Sequence, residues 1–144
     1  MKLYSDKLPA TSDRITIVTV FGNPVEPKDS LAIELLPQLK DRFRNVDFRI
    51  EDPTESLDPP SDPWIILDVG VGIDKVTVVE DIKELERVCG LGAHDYDLYM
   101  ELRLKEKLGK LPKMKIILVP AQWTPKQAIN KVVSALNEIT SVQR

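Results

Sequence analysis

His94 is the sole histidine of the 144-residue chain, so any chemistry that needs an imidazole must use it. Two aspartates are its candidate partners. Asp29 closes the stretch GNPVEPKD, which leaves the apolar run ITIVTVF (15–21), and Asp68 ends a second apolar run, WIILD (64–68). Two carboxylates and an imidazole suit a divalent transition metal and leave coordination positions for water or substrate. Each residue also has an ordinary reading. Asp29 can cap a helix, Asp68 can be an exposed carboxylate at a strand end, and a lone loop histidine can be structural. The choice depends on whether the fold brings three distant segments to one place.

The elements that would do so can be read along the chain. ITIVTVF is a continuous β-rich run, as expected of a strand buried on both faces. A helix is expected from about Asp29 to Phe43, with Ala32, Leu35, Leu36, Leu39 and Phe43 on one face. Pro37 should kink it, because proline removes one backbone bond and crowds the preceding turn. VDFRI (46–50) is a short second strand, and DPTESLDPPSDP (52–63) is an acidic, proline-rich loop. WIILDV (64–69) and KVTVV (75–79) are the next strands. About five residues separate them, too few for a parallel crossover, so this pair is expected to be antiparallel.

A long connection (80–93) then leads to a helix from Asp95 to about Leu108, with Leu98, Leu102 and Leu108 among its buried positions. MKIILVP (114–120) is the fifth strand. The last helix, about 124–139, starts with Thr124 as N-cap and Pro125 at its first position. Ala128, Val132, Ala135, Leu136 and Ile139 make its core stripe. These elements predict an α/β fold, a three-layer α/β/α sandwich whose five-stranded mixed sheet is mostly parallel with one antiparallel strand.

In open α/β sheets, ligands sit outside the carboxyl ends of the parallel strands. The GNPVEPKDS loop leaves the first strand at that edge, and Asp68 ends the third strand there. The antiparallel strand carries the chain to the opposite edge. The helix after His94 must nevertheless feed strand 114–120 from that opposite edge, so it starts at the ligand edge, and the connection 80–93 carries His94 back. A position just before a helix N-terminus also favours a neutral imidazole, as a metal ligand must be. Asp29, Asp68 and His94 are thereby expected together.

Composition narrows the remaining classes. Hydrophobic residues make up 42% and charged residues 30%, the balance of an ordinary globule, and the length suits one domain spanning 1–144 behind a polar lead-in (1–13). The net charge of −3 offers no general attraction to nucleic acid. No apolar run approaches the roughly 20 residues of a membrane span. The single cysteine, Cys89, excludes an internal disulfide and fits a reducing cytoplasm. It also lacks the partner acid of a nucleophilic site. GNPVEP is not a phosphate-binding loop, since the Gly-Lys-Ser/Thr ending is absent, and DVGVGIDK opens no helix as a dinucleotide fingerprint must. Trp64, Tyr96 and Tyr99 are read as packing residues and not as base-stacking platforms.

With these residues placed, the chain resembles the hydrogenase maturation endopeptidases, which trim the C-terminus of the large subunit of nickel–iron hydrogenases. The resemblance runs from about residue 15 to 130. A strand is followed by Gly-Asn-Pro and, three residues on, by an acidic pair, here GNP-VEP-KDS. An apolar strand then ends in Asp, here WIILD. A histidine begins the helix before the last strand, here GAHDYDLYMELRLKEKLGKLP, and the last strand leads into the turn VPAQWTP.

The resemblance implies a five-stranded mixed sheet and a metal site formed by Asp29, Asp68 and His94. That site would recognise nickel already inserted in the hydrogenase precursor. It also implies a cytoplasmic peptidase, with Asn23 either orienting the substrate backbone or serving as a turn residue, acting as a monomer or weak oligomer. Three positions depart from the family pattern: Lys28 replaces an acid, and Ser30 and Ala32 replace glycines. The departures leave an alternative, a non-catalytic relative that binds metal or precursor as an assembly factor.

Overall fold

The computed structural model describes residues 15–22, 30–52, 58–88 and 93–142, with residues 93–97 and 142 described by their backbone alone. Strand β1 (Thr16–Phe21) is followed by helices α1 (Leu31–Glu34) and α2 (Leu36–Arg42) and strand β2 (Val46–Glu51). Strand β3 (Trp64–Gly70), strand β4 (Thr77–Val79), helix α3 (Ile82–Val88) and helix α4 (Ala93–Lys107) come next. Strand β5 (Met114–Pro120) and helix α5 (Pro125–Val142) complete the order. Among the described residues no helix is long and apolar enough to cross a membrane.

The strand order is β2-β1-β3-β5-β4. β1, β2, β3 and β5 are parallel, and β4 runs antiparallel to β5. The direction of β4 agrees with the sequence expectation, but its neighbour does not. The short connection places β4 beyond β5 and not beside β3. Two strand spacings amount to about 10 Å, which the connection 71–76 can cover. It passes over the end of β5, where Ala121 N donates to Gly70 O at 3.0 Å and Gln122 Nε2 donates to Ile73 O at 3.0 Å.

Two cores lie on the two faces of this sheet. Val18, Val20, Ile65, Leu67, Val69, Ile117 and Val119 pack with α1, α2 and α5. Phe21, Trp64, Ile66, Ile116 and Leu118 pack with α3 and α4. Strands buried on both faces must be apolar at both parities, which is why these runs show no alternation.

The helices depart from expectation in informative ways. The helix expected over 29–43 is two pieces joined at Leu35. Pro37 sits at the start of α2, where its missing amide proton breaks the ladder. Ser30 is the residue at the N-cap position of α1. The connection 80–93 contains a helix, α3, that the sequence expectation does not include. Its start is capped: Glu84 N donates to Asp81 Oδ1 at 2.8 Å, and Glu84 Oε1 accepts from Glu80 N at 2.9 Å. Leu108, expected to be buried, is 59% exposed, because α4 ends at Lys107 and the chain turns away through Gly109 at φ 69. The start of α5 is as expected: Gln127 N donates to Thr124 Oγ1 at 3.2 Å, and Thr124 N donates to Gln127 Oε1 at 2.8 Å.

Candidate functional site

The sheet reverses its order of growth between β1 and β3, since β2 is added on one side of β1 and β3 on the other. Such a switch point opens a crevice at the carboxyl ends of the two strands. Asp68 stands there. It pairs in register with Leu118 of β5, and it lies one residue beyond Leu67, the partner of Val20 in β1.

Strand alternation sets the face on which Asp68 lies. Ile65, Leu67 and Val69 belong to the core of α1, α2 and α5, whereas Trp64 and Ile66 belong to the core of α3 and α4. Asp68 has the parity of the second set, so it faces the α3/α4 side. It is 7% exposed, which overturns the reading of an exposed edge carboxylate. A carboxylate is buried at a strand end only where partners offset its lost hydration. One such partner is its own neighbour: Val69 N donates to Asp68 Oδ1 at 2.8 Å.

His94 reaches the same edge through α4. The sequence reading placed it just ahead of a helix starting at Asp95. The helix starts at Ala93, so His94 is in its first turn. Six residues separate the end of α4 from β5, which puts Lys107 at the amino edge of the sheet. Fifteen helical residues span about 22 Å at 1.5 Å per residue, which returns Ala93 and His94 to the carboxyl edge. Position 94 also falls in the i, i+4 row of Leu98 and Leu102, both buried against the sheet face that carries Asp68. The side chain of His94 is outside the described residues.

Asn23, Lys28 and Asp29 lie outside the described residues altogether, but their flanks do not. Gly22 directly follows β1 and Ser30 directly precedes α1, both at the carboxyl edge. Ser30 is buried, and its Oγ donates to Glu34 Oε2 at 2.6 Å. Ala32 is wholly buried in the α1 core, so its methyl group is packing material where the resembled family carries glycine. Among the described residues no three His, Cys, Asp or Glu side chains form a group that could hold an ion. Of the three predicted ligands, Asp68 alone has a described side chain. A carboxylate pair with an imidazole matches a divalent ion in donor type.

Trp64 packs as expected, buried with its indole Nε1 donating to Thr19 Oγ1 at 2.8 Å. Tyr99 also packs as expected, half-buried against the α3/α4 core, with its hydroxyl donating to Glu86 Oε2 at 3.1 Å. A cavity of about 510 Å³ lies elsewhere, between β4 and α5 on the opposite face of the sheet from Asp68. Sequence reasoning missed it, because its lining comes from separate elements.

The fold defines a class, a mixed α/β sheet of parallel strands with one antiparallel edge strand and helices on both faces. Solved structures share it. The chain is similar to the hydrogenase maturating endopeptidase HybD from E. coli, with a TM-score of 0.61 and 17% identity over 86% of this chain and 93% of that one. It is also similar to the solution structure of an endopeptidase from Escherichia coli, with a TM-score of 0.59 and 16% identity over 85% and 93% of the two chains. An uncharacterized protein from Wolinella succinogenes matches with a TM-score of 0.53 and 14% identity over 90% and 96%. No family model matches the chain, and no curated protein matches it in sequence.

Proposed function

We propose that this protein is an endopeptidase that removes a C-terminal extension from a nickel–iron hydrogenase large-subunit precursor after nickel insertion. The observation that carries the proposal is Asp68: a carboxylate 7% exposed at the carboxyl end of β3, at the switch point of the sheet, with α4 opening at the same edge. Its support is the GNP, WIILD and GAHDYD segments together with a fold shared with two endopeptidases.

In this reading nickel belongs to the substrate. The precursor presents it, and Asp29, Asp68 and His94 recognise it, so an unloaded precursor is refused. Asp68 suits that task because burial and the Val69 amide restrict its carboxylate to one orientation, which lowers the cost of organising a ligand set. Asn23 orients the substrate backbone beside the scissile bond. Asp68 and Asp29 supply the negative charge that holds a water for attack on the scissile carbonyl. The protein acts in the cytoplasm, where its single cysteine stays reduced.

A second reading is favoured by one specific feature: Lys28 stands beside Asp29 where the resembled family carries an acid. In that reading the protein binds metal or precursor without cutting. Incubation with nickel-loaded precursor, followed by intact-mass measurement, separates the two. The peptidase yields a shortened large subunit only when nickel is loaded. An unchanged precursor mass in a stable complex means a binding protein.

A further inference from the structure

The cavity of about 510 Å³ is a groove along the strand edge farthest from β2. Its floor is the α5-facing side of β4, where Val76 and Val78 lie; Val79, of opposite parity, is buried against the α3/α4 core. One wall is α5, and the half-buried ring of Trp123 stands near its upper end, where β5 passes into α5. From Lys75 to Glu80 the groove follows the chain for about 16 Å at 3.3 Å per residue.

Its charges are unevenly distributed. At the lower end Lys115 is neutralised by Glu80, with Nζ 2.7 Å from Oε2, and Glu138 lies two helical turns beyond Lys131. Lys75 and Lys131 line the remainder, and among the described residues neither makes an ion pair. In a chain of net charge −3, this groove is positive toward the carboxyl edge of the sheet and negative toward the other.

We propose that the groove binds an extended acidic peptide segment, with an apolar side chain against Trp123 and Val78 and a carboxylate at Lys75 and Lys131. Two further features select a peptide over a compact organic acid. The groove is as long as several residues of extended chain. Moreover, β4 is the last strand of the sheet, so its outer backbone groups can pair with an added strand, whose alternate side chains then lie beside Val76 and Val78 on the groove face. The proposal goes beyond the peptidase reading and does not rest on it, because Asp68 lies on the other face of the sheet.

The test uses the full-length protein labelled with ¹⁵N, whose two indole signals are assigned with Trp123→Phe. It is titrated with a capped Val-Phe-Val-Glu-Asp peptide, with the same peptide carrying Lys at both acidic positions, and with phenylacetate. The acidic peptide should move the Trp123 signal saturably and leave that of buried Trp64 in place. The lysine peptide should bind about tenfold more weakly or worse. In Lys75→Glu/Lys131→Glu the preference should reverse, and Lys75→Ala, a milder change at an exposed position, should weaken the acidic peptide alone. Equal response to both peptides, no response at millimolar peptide, or unaltered preference in the charge-reversed protein overturns the proposal. Phenylacetate matching the peptide at equal concentration overturns it too, in favour of a small-acid site.

Discussion

Trp64 Nε1 donates a 2.8 Å hydrogen bond to Thr19 Oγ1, joining β3 to β1 across the switch point of the sheet. Both residues are buried, at 1% and 2% exposure, and Asp68 lies farther along β3 on the same face as Trp64. The bond therefore anchors the two strands whose upper ends form the candidate site. Thr19→Val keeps the shape and leaves the indole N–H without its partner, at a cost of about 1–3 kcal/mol. Thr19→Ser should recover most of that loss. Urea denaturation of the three proteins measures both effects.

Gly70 and Gly72 should fail for different reasons. A Cβ at Gly70 would meet Ile73 Cδ1 at 3.0 Å and Leu118 Cβ at 3.5 Å, so the cost there is steric. Gly70→Val should destabilise by about 1–3 kcal/mol through overpacking. A Cβ at Gly72 would meet nothing within 4 Å, but its φ of +87 is unfavourable for any side chain. Gly72→Ala should cost about 1 kcal/mol of backbone strain. Adding Ile73→Ala should lessen the penalty of Gly70→Val relative to Ile73→Ala alone and leave that of Gly72→Ala unchanged. Double-mutant cycles from denaturation midpoints decide this.

Asp68→Asn should abolish precursor processing with the fold retained. The amide oxygen still accepts from Val69 N, while the charge a divalent ion needs is gone. His94→Ala should also abolish processing, because it removes the chain's one imidazole. Intact-mass measurement on nickel-loaded precursor, paired with circular dichroism, reads activity and fold separately. Normal processing by His94→Ala would refute recognition of the metal through this residue.

Lys28→Ala should leave processing unchanged or raise it. A lysine stem can carry its ammonium away into water, but wherever that charge approaches the nickel it opposes binding. Initial rates compared at low and high salt would show the charge effect, since screening acts on exposed charges. Reduced processing in Lys28→Ala would overturn this and assign Lys28 a positive role in binding or catalysis.

Much of the framework was legible in the sequence, because local rules govern it. Apolar runs bounded by Gly, Pro and Asp locate β1, β3 and β5, and Thr124 with Gln127 caps α5 as the sequence implied. The shortness of the expected connection, 70–74, dictates the direction of β4. The same kind of rule was present at Asp81 and Glu84, whose capping marks α3. The apolar signal of that helix is weak, because only Ile82 and Leu85 of its seven residues are buried.

Three matters were decided by tertiary structure alone. β4 pairs with β5, a strand that occurs later in the chain, so no inspection of 64–79 could name its neighbour. The burial of Asp68 depends on which parity of β3 faces α4, and a strand apolar on both faces carries no mark of that parity. The groove of Lys75, Trp123 and Lys131 exists because β4 is carried past β5 to lie beside α5. Local sequence determines what each segment is; which distant segment it meets depends on the packing of all of them.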